Sequence, residues 1–176
     1  MVLVAIVGYV FVTRLAPNST PVSSTSLTIE GVKTFGALSR DHKAPPLTYN
    51  QDPPVGGLHA TKWQSCGIYN QPIPLELAVH SLEHGAVWIA YESGIAASEL
   101  ELLVQHAKNK PFVLLAPYLT GRLSKPIVVV AWGYRLEPDN AADPRLGAFM
   151  LRYANSPDSP EPGAPCRGGL GKPLGG

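Results

Sequence analysis

The residues with the clearest chemical meaning are His80-Ser81-Leu82-Glu83-His84-Gly85. Two imidazoles four positions apart lie on one face of a helix, one turn apart. Imidazoles so placed can grip one metal ion, and Glu83 borders the same face. Gly85 permits a sharp exit from that turn. A second source of imidazole is the loop Asp52-Pro53-Pro54-Val55-Gly56-Gly57-Leu58-His59. Its prolines fix the backbone and its glycines free it, so it reads as a shaped loop and not a helix. His59 at its end becomes the third nitrogen ligand beside His80 and His84. His42, in the polar stretch Ser39-Arg40-Asp41-His42-Lys43, is an additional candidate. A lone histidine in such a loop is ordinarily a solvated one.

Three imidazoles leave an open coordination position, which in zinc enzymes holds an activated water. His80-Ser81-Leu82-Glu83-His84 also has the H-x-x-E-H order of the inverted zinc proteases, in which Glu83 would be a general base. In another reading Glu83 accepts an imidazole N–H and so orients a ligand. Imidazole suits copper, zinc, iron and nickel alike. The pattern establishes a metal-type constellation and leaves its task open.

These residues need a frame. Ala86 to Tyr91 is an apolar run that reads as a buried strand anchoring the histidine turn. Ile29 to Phe35 reads as a short strand. Apolar residues at Ile95, Leu100, Leu103, Val104 and Ala107 have helical spacing. Ser98 and Glu101 form a capping-box pair at which the regular helix would begin. Phe112 to Ala116 reads as a strand closed by Pro117, and Ile127 to Tyr134 as another after Pro126. Asp143-Pro144 opens a helix to about Tyr153, with Leu146, Phe149, Met150 and Tyr153 as its apolar stripe. That stripe, Met150 included, reads as core. The expected fold is α+β: a small, mostly antiparallel sheet with two helices and long Pro/Gly-rich loops. His106, on the first helix, is left out of the site.

One domain is expected of 176 residues, and an apolar fraction of 45% is enough for a core. Charged residues make up 15% and the net charge is +1, without the clustered Lys and Arg that a nucleic-acid surface needs. Residues 1–15 begin with an uncharged run, Met1 to Val12, that is shorter than the roughly 20 residues needed to span a bilayer. It reads as a membrane anchor or export segment that has lost its first residues. Residues 16–28, rich in Ser, Thr and Pro, read as a linker. The folded domain is then 29–169, with a flexible tail at 170–176, and it lies outside the cytoplasm. There, two cysteines, Cys66 and Cys166, favour a disulfide. The alternative makes one or both thiolates metal ligands, which would favour Cu(I) or zinc.

Asp41-His42, Tyr49, Pro53-Pro54-Val55-Gly56-Gly57-Leu58-His59, Trp63, Cys66-Gly67-Ile68-Tyr69, Val79 to Gly85 and the ending Pro160-Glu161-Pro162-Gly163-Ala164-Pro165-Cys166 together resemble a bacterial family known as domain of unknown function 3105. The resemblance covers residues 29 to 169. It implies an exported or membrane-anchored protein with a metal role, copper being the metal that its histidines suggest. The expectation is therefore a membrane-anchored, extracytoplasmic metal-binding domain, copper preferred and zinc the alternative, more a binding protein than an enzyme. It would act in metal binding or delivery, or as an accessory subunit of a membrane assembly. A zinc hydrolase using Glu83 and a purely structural subunit are the alternatives.

Overall fold

The computed structural model describes residues 28–119 and 121–175. The expected membrane segment at 1–15 and nearly all of the linker at 16–28 lie outside them. No helix among the described residues is long and apolar enough to cross a membrane.

The described residues form a mixed α+β fold, with three helices and one six-stranded sheet. Its strands are β1 (Lys33–Thr34), β2 (Gly67–Ile68), β3 (Val87–Glu92), β4 (Val113–Tyr118), β5 (Ile127–Ala131) and β6 (Tyr134–Leu136). Across the sheet they run in the order β1-β6-β5-β3-β4-β2. The helices are α1 (Leu75–Glu83), α2 (Ala97–Ala107) and α3 (Pro144–Tyr153).

Two expectations about the architecture need correction. The sheet is mixed and not mostly antiparallel: β3 pairs parallel with β4, and β4 parallel with β2, while β3-β5, β5-β6 and β6-β1 are antiparallel. The reason lies in α2. A helix that leaves one strand and returns the chain to the starting end makes the next strand parallel, as in any βαβ unit. Among the described residues there are also three helices and not two, because the histidine turn is the end of a full helix, α1, which starts directly after Pro74.

Local differences follow similar logic. The run expected as one strand from Ile127 to Tyr134 is a hairpin, with Ala131 paired to Tyr134 across Trp132-Gly133. Gly133 has φ 77°, a left-handed conformation that glycine adopts without Cβ strain. β4 runs through Pro117, which sits opposite Tyr91. Helix α2 starts at Ala97 with no side-chain cap, so Ser98 does not cap it. Helix α3 does start as its sequence implies: the Asp143 carboxylate accepts the N–H of Arg145, and Pro144 occupies the first turn.

Alternate residues of the central strands feed two cores. Val87, Ile89, Tyr91, Leu115 and Val129 pack with Leu103 of α2 and with Leu146, Phe149 and Met150 of α3. Trp88, Ala90, Leu114, Val128 and Val130 pack with Ala78 and Leu82 of α1, with Val55 of the Pro/Gly loop and with Cys66 and Cys166. Period-two alternation with apolar residues at every position is what a sheet covered on both faces requires. The candidate ligands all belong to the second side.

Cys66 and Cys166 form a disulfide across a sequence separation of 100 residues. The C-terminal segment is also stitched to the chain around β2. Cys66 N–H donates to Cys166 O (2.8 Å), Ser65 N–H to Leu170 O (2.8 Å), Leu170 N–H to Trp63 O (2.8 Å) and Leu174 N–H to Ile68 O (2.7 Å). The stretch expected as a flexible tail, 170–176, is described as far as residue 175 and carries three of these bonds.

Candidate metal centre

Each ligand candidate is delivered by a different local device. Buried side chains of α1, Ala78, Val79 and Leu82 among them, press this helix against the sheet, which sets His80, Glu83 and His84 along one side of its last turn. Gly85, with φ 94°, then turns the chain into β3. The Pro/Gly loop is tied down at Asp52. Tyr118 OH donates to its Oδ1 (2.7 Å), Arg122 donates twice to its Oδ2 (3.0 and 2.8 Å), and the buried Arg135 donates to its backbone carbonyl (2.8 Å). Burial and the Asp52 carboxylate both raise the Tyr118 pKa well above its usual range, so this phenol stays a donor. At the other end of the loop Gly133 N–H donates to Val55 O (2.7 Å). His42 is brought to His59 by the backbone: Lys43 N–H donates to His59 O (2.8 Å), and His59 N–H to Asp41 O (3.3 Å).

The result is a chain of adjoining rings. Centroids of His42 and His59 are 4.6 Å apart, those of His59 and His80 4.9 Å, those of His42 and His80 4.9 Å, and those of His80 and His84 4.6 Å. Trp63 flanks His80 and His84 at 6.0 and 5.1 Å, and Trp132, set by the β5–β6 hairpin, flanks His59 at 5.8 Å. His59, His80, Glu83 and His84 are all buried, with His59 fully so.

The hydrogen bonds fix which ring nitrogens carry protons. Nδ1 of His59 lies 2.7 Å from Gly57 O, Nδ1 of His80 2.6 Å from Ala60 O, and Nδ1 of His84 2.8 Å from Pro165 O. A carbonyl oxygen only accepts, so each Nδ1 carries the hydrogen and donates. In a neutral ring Nε2 is then a bare lone pair, the arrangement typical of a metal-bound histidine. Burial lowers the His80 pKa to about 4, opposed in part by its bond to Ala60 O and reinforced by the neighbouring histidines, so this ring is neutral at pH 7.

These lone pairs face one another and a carboxylate. His80 Nε2 and His84 Nε2 are 2.9 Å apart. His59 Nε2 lies 2.8 Å from Glu83 Oε2, and neither atom has a hydrogen-bond partner. A buried carboxylate and buried imidazole nitrogens without partners are costly, by several kcal/mol for the charged group. A cation between these atoms would answer that cost. On the chemistry of these donors, the residues fit a metal ion.

Among the described residues, two groups of ligand atoms, each within 4.8 Å of one another, meet this description: His42, His59, His80 and Glu83, and His80, His84 and Glu161. His80 belongs to both, and His59 and His84 do not share one. Glu83, expected to orient a ring, is itself close enough to bind. Glu161 has no part in the sequence-based ligand set. Its N–H donates to Glu83 O (3.0 Å), which brings its Oε2 to 3.3 Å from His84 Nε2. The signal for it was a carboxylate held between two prolines in the ending Pro160-Glu161-Pro162. The cysteines are not ligands, because they are joined to each other. Met150 belongs to the core on the far side of the sheet. His106 bonds Ala141 O (3.0 Å) and lies outside both groups.

A family model described as a protein of unknown function (DUF3105) matches residues 42–168, and the chain belongs to that family. No curated protein and no solved structure matches the chain.

Proposed function

We propose that this chain is a metal-binding domain, copper preferred, held at a membrane on the extracytoplasmic side, where it binds or delivers the ion. One observation carries the reading: three buried imidazoles spend their Nδ1 hydrogens on backbone carbonyls, which leaves His80 Nε2 facing His84 Nε2 and His59 Nε2 facing Glu83. Imidazole and carboxylate donors without thiolate suit a divalent ion, and Cu²⁺ stands above Zn²⁺ in affinity for such donors. The disulfide supports an oxidising compartment. The apolar start of the chain supplies the anchor, and another subunit of a membrane assembly is the expected partner or recipient. A zinc hydrolase with Glu83 as base is less well supported, because that carboxylate lies buried against His59.

The test is metal content. Purified full chain is expected to retain one copper ion after dialysis, and His80→Ala to lose it. A Glu83→Gln variant that keeps the ion but loses a hydrolytic activity of the wild type would overturn the binding reading in favour of the enzyme. Metal-free protein that takes up neither copper nor zinc would overturn both.

A further inference from the structure

His80 stands where the two ligand groups meet. A neutral imidazole has one lone pair available to a metal. In His80 it is on Nε2, because Nδ1 is committed to Ala60 O at 2.6 Å. Bridging two ions through this ring would need both nitrogens. The two groups therefore cannot each hold an ion through His80 at the same time.

We infer that the chain offers one divalent ion two alternative seats that pivot on His80 Nε2, the second formed by His84 and Glu161 and used for loading and release. This rests on the metal-binding reading and adds to it a ligand, Glu161, and a direction of transfer. The second seat stands on its own observations. His84 is buried, and its Nε2 faces only acceptors once its Nδ1 hydrogen is given to Pro165 O: His80 Nε2 at 2.9 Å and Glu161 Oε2 at 3.3 Å. A cation shared by these three atoms would satisfy all of them at once.

The seats differ in a way that sets the direction. The first has four donors, of which His59, His80 and Glu83 are buried and His42 is exposed. The second has three, and the side chain of Glu161 is 49% exposed. Fewer donors and a carboxylate in contact with water make the second seat the weaker and the faster to exchange. An ion captured by Glu161 and His84 needs only to exchange those two for His42, His59 and Glu83 while His80 keeps hold of it.

The test uses the metal-free full chain and Cu²⁺, with uptake followed by stopped flow and affinity by competition with a chelator. Glu161→Gln keeps the shape and the backbone bond to Glu83 O and removes the charge. It is expected to slow Cu²⁺ uptake about tenfold, as loss of a steering charge does, with the equilibrium affinity nearly unchanged. His59→Ala is expected to do the reverse, with affinity lost and uptake retained. Wild type is expected to bind one equivalent. If the wild type binds copper but Glu161→Gln changes neither rate nor affinity, or if two equivalents bind at once with His80 intact, the two-seat inference falls and the metal-binding reading survives. If the wild type binds no copper, both fall.

Discussion

Replacing both cysteines, Cys66→Ala with Cys166→Ala, tests how the C-terminal segment is held. The disulfide closes a separation of 100 residues. In the chain-entropy account a loop of that size restricts the unfolded ensemble by about 4.7 kcal/mol, and measured losses on removal are typically about 2–5 kcal/mol. Both side chains are buried, so alanine avoids placing a hydroxyl without a partner there, at the cost of a small cavity. The backbone bonds between residues 63–68 and 166–174 remain available to the variant. They hold the segment locally but do nothing to the unfolded chain. The expected loss is thus about 3–5 kcal/mol, read as a shift in the urea midpoint of the metal-free full chain at constant slope. Because Pro165 O fixes the His84 ring and lies next to Cys166, the same variant should also weaken the His84–Glu161 seat. A loss below about 1 kcal/mol would refute the account of the disulfide as the main constraint on this segment.

Other outcomes follow from single features. Burial of His80 lowers its pKa from 6.5 to about 4, so the unfolded chain binds a proton that the folded one refuses between those values. Metal-free protein should therefore hold its full contribution above pH 6.5 and lose on the order of 3 kcal/mol as the pH falls toward 4, measured by urea titration at each pH. Gly85→Ala forces φ 94° on a residue with a Cβ, and sets that Cβ 3.3 Å from Asn155 Cα and 3.2 Å from Ser159 Oγ. A loss of about 1–3 kcal/mol in thermal or urea unfolding is expected, together with slower copper uptake as Glu161 is displaced. Asp143→Ala removes the cap of α3 and a carboxylate that Arg145 holds well below the usual range, so unfolding should cost about 1–2 kcal/mol less at pH 7, with the difference from wild type vanishing at strongly acidic pH.

Much of the frame was legible because its signals are local. Asp143-Pro144 names a helix start, and the runs at 87–92, 113–118 and 127–131 are too apolar to be surface. What was missed depends on three dimensions. The β5–β6 hairpin hides in an unbroken apolar run, because a turn of only Trp132-Gly133 leaves no polar mark. The parallel pairing of β3 and β4 follows from the helix between them, which carries the chain back to the starting end of the sheet. The imidazoles were legible by type and spacing. Their tautomers were not, because Gly57, Ala60 and Pro165 act through backbone carbonyls, which any residue can supply. Glu161 was hidden for another reason: the backbone bond to Glu83 O, the His84 bond to Pro165 O and the disulfide bring the C-terminal segment to the histidines.

The central claim is that Nε2 atoms from the Pro/Gly loop and from α1 share an ion. X-ray absorption at the copper edge of the loaded full chain measures this most directly. The expected spectrum shows imidazole nitrogens and carboxylate oxygen at about 2 Å and no sulfur, with the imidazole signal reduced in His59→Ala. Sulfur in the coordination sphere, or a spectrum that His59→Ala and His80→Ala leave unchanged, would contradict it.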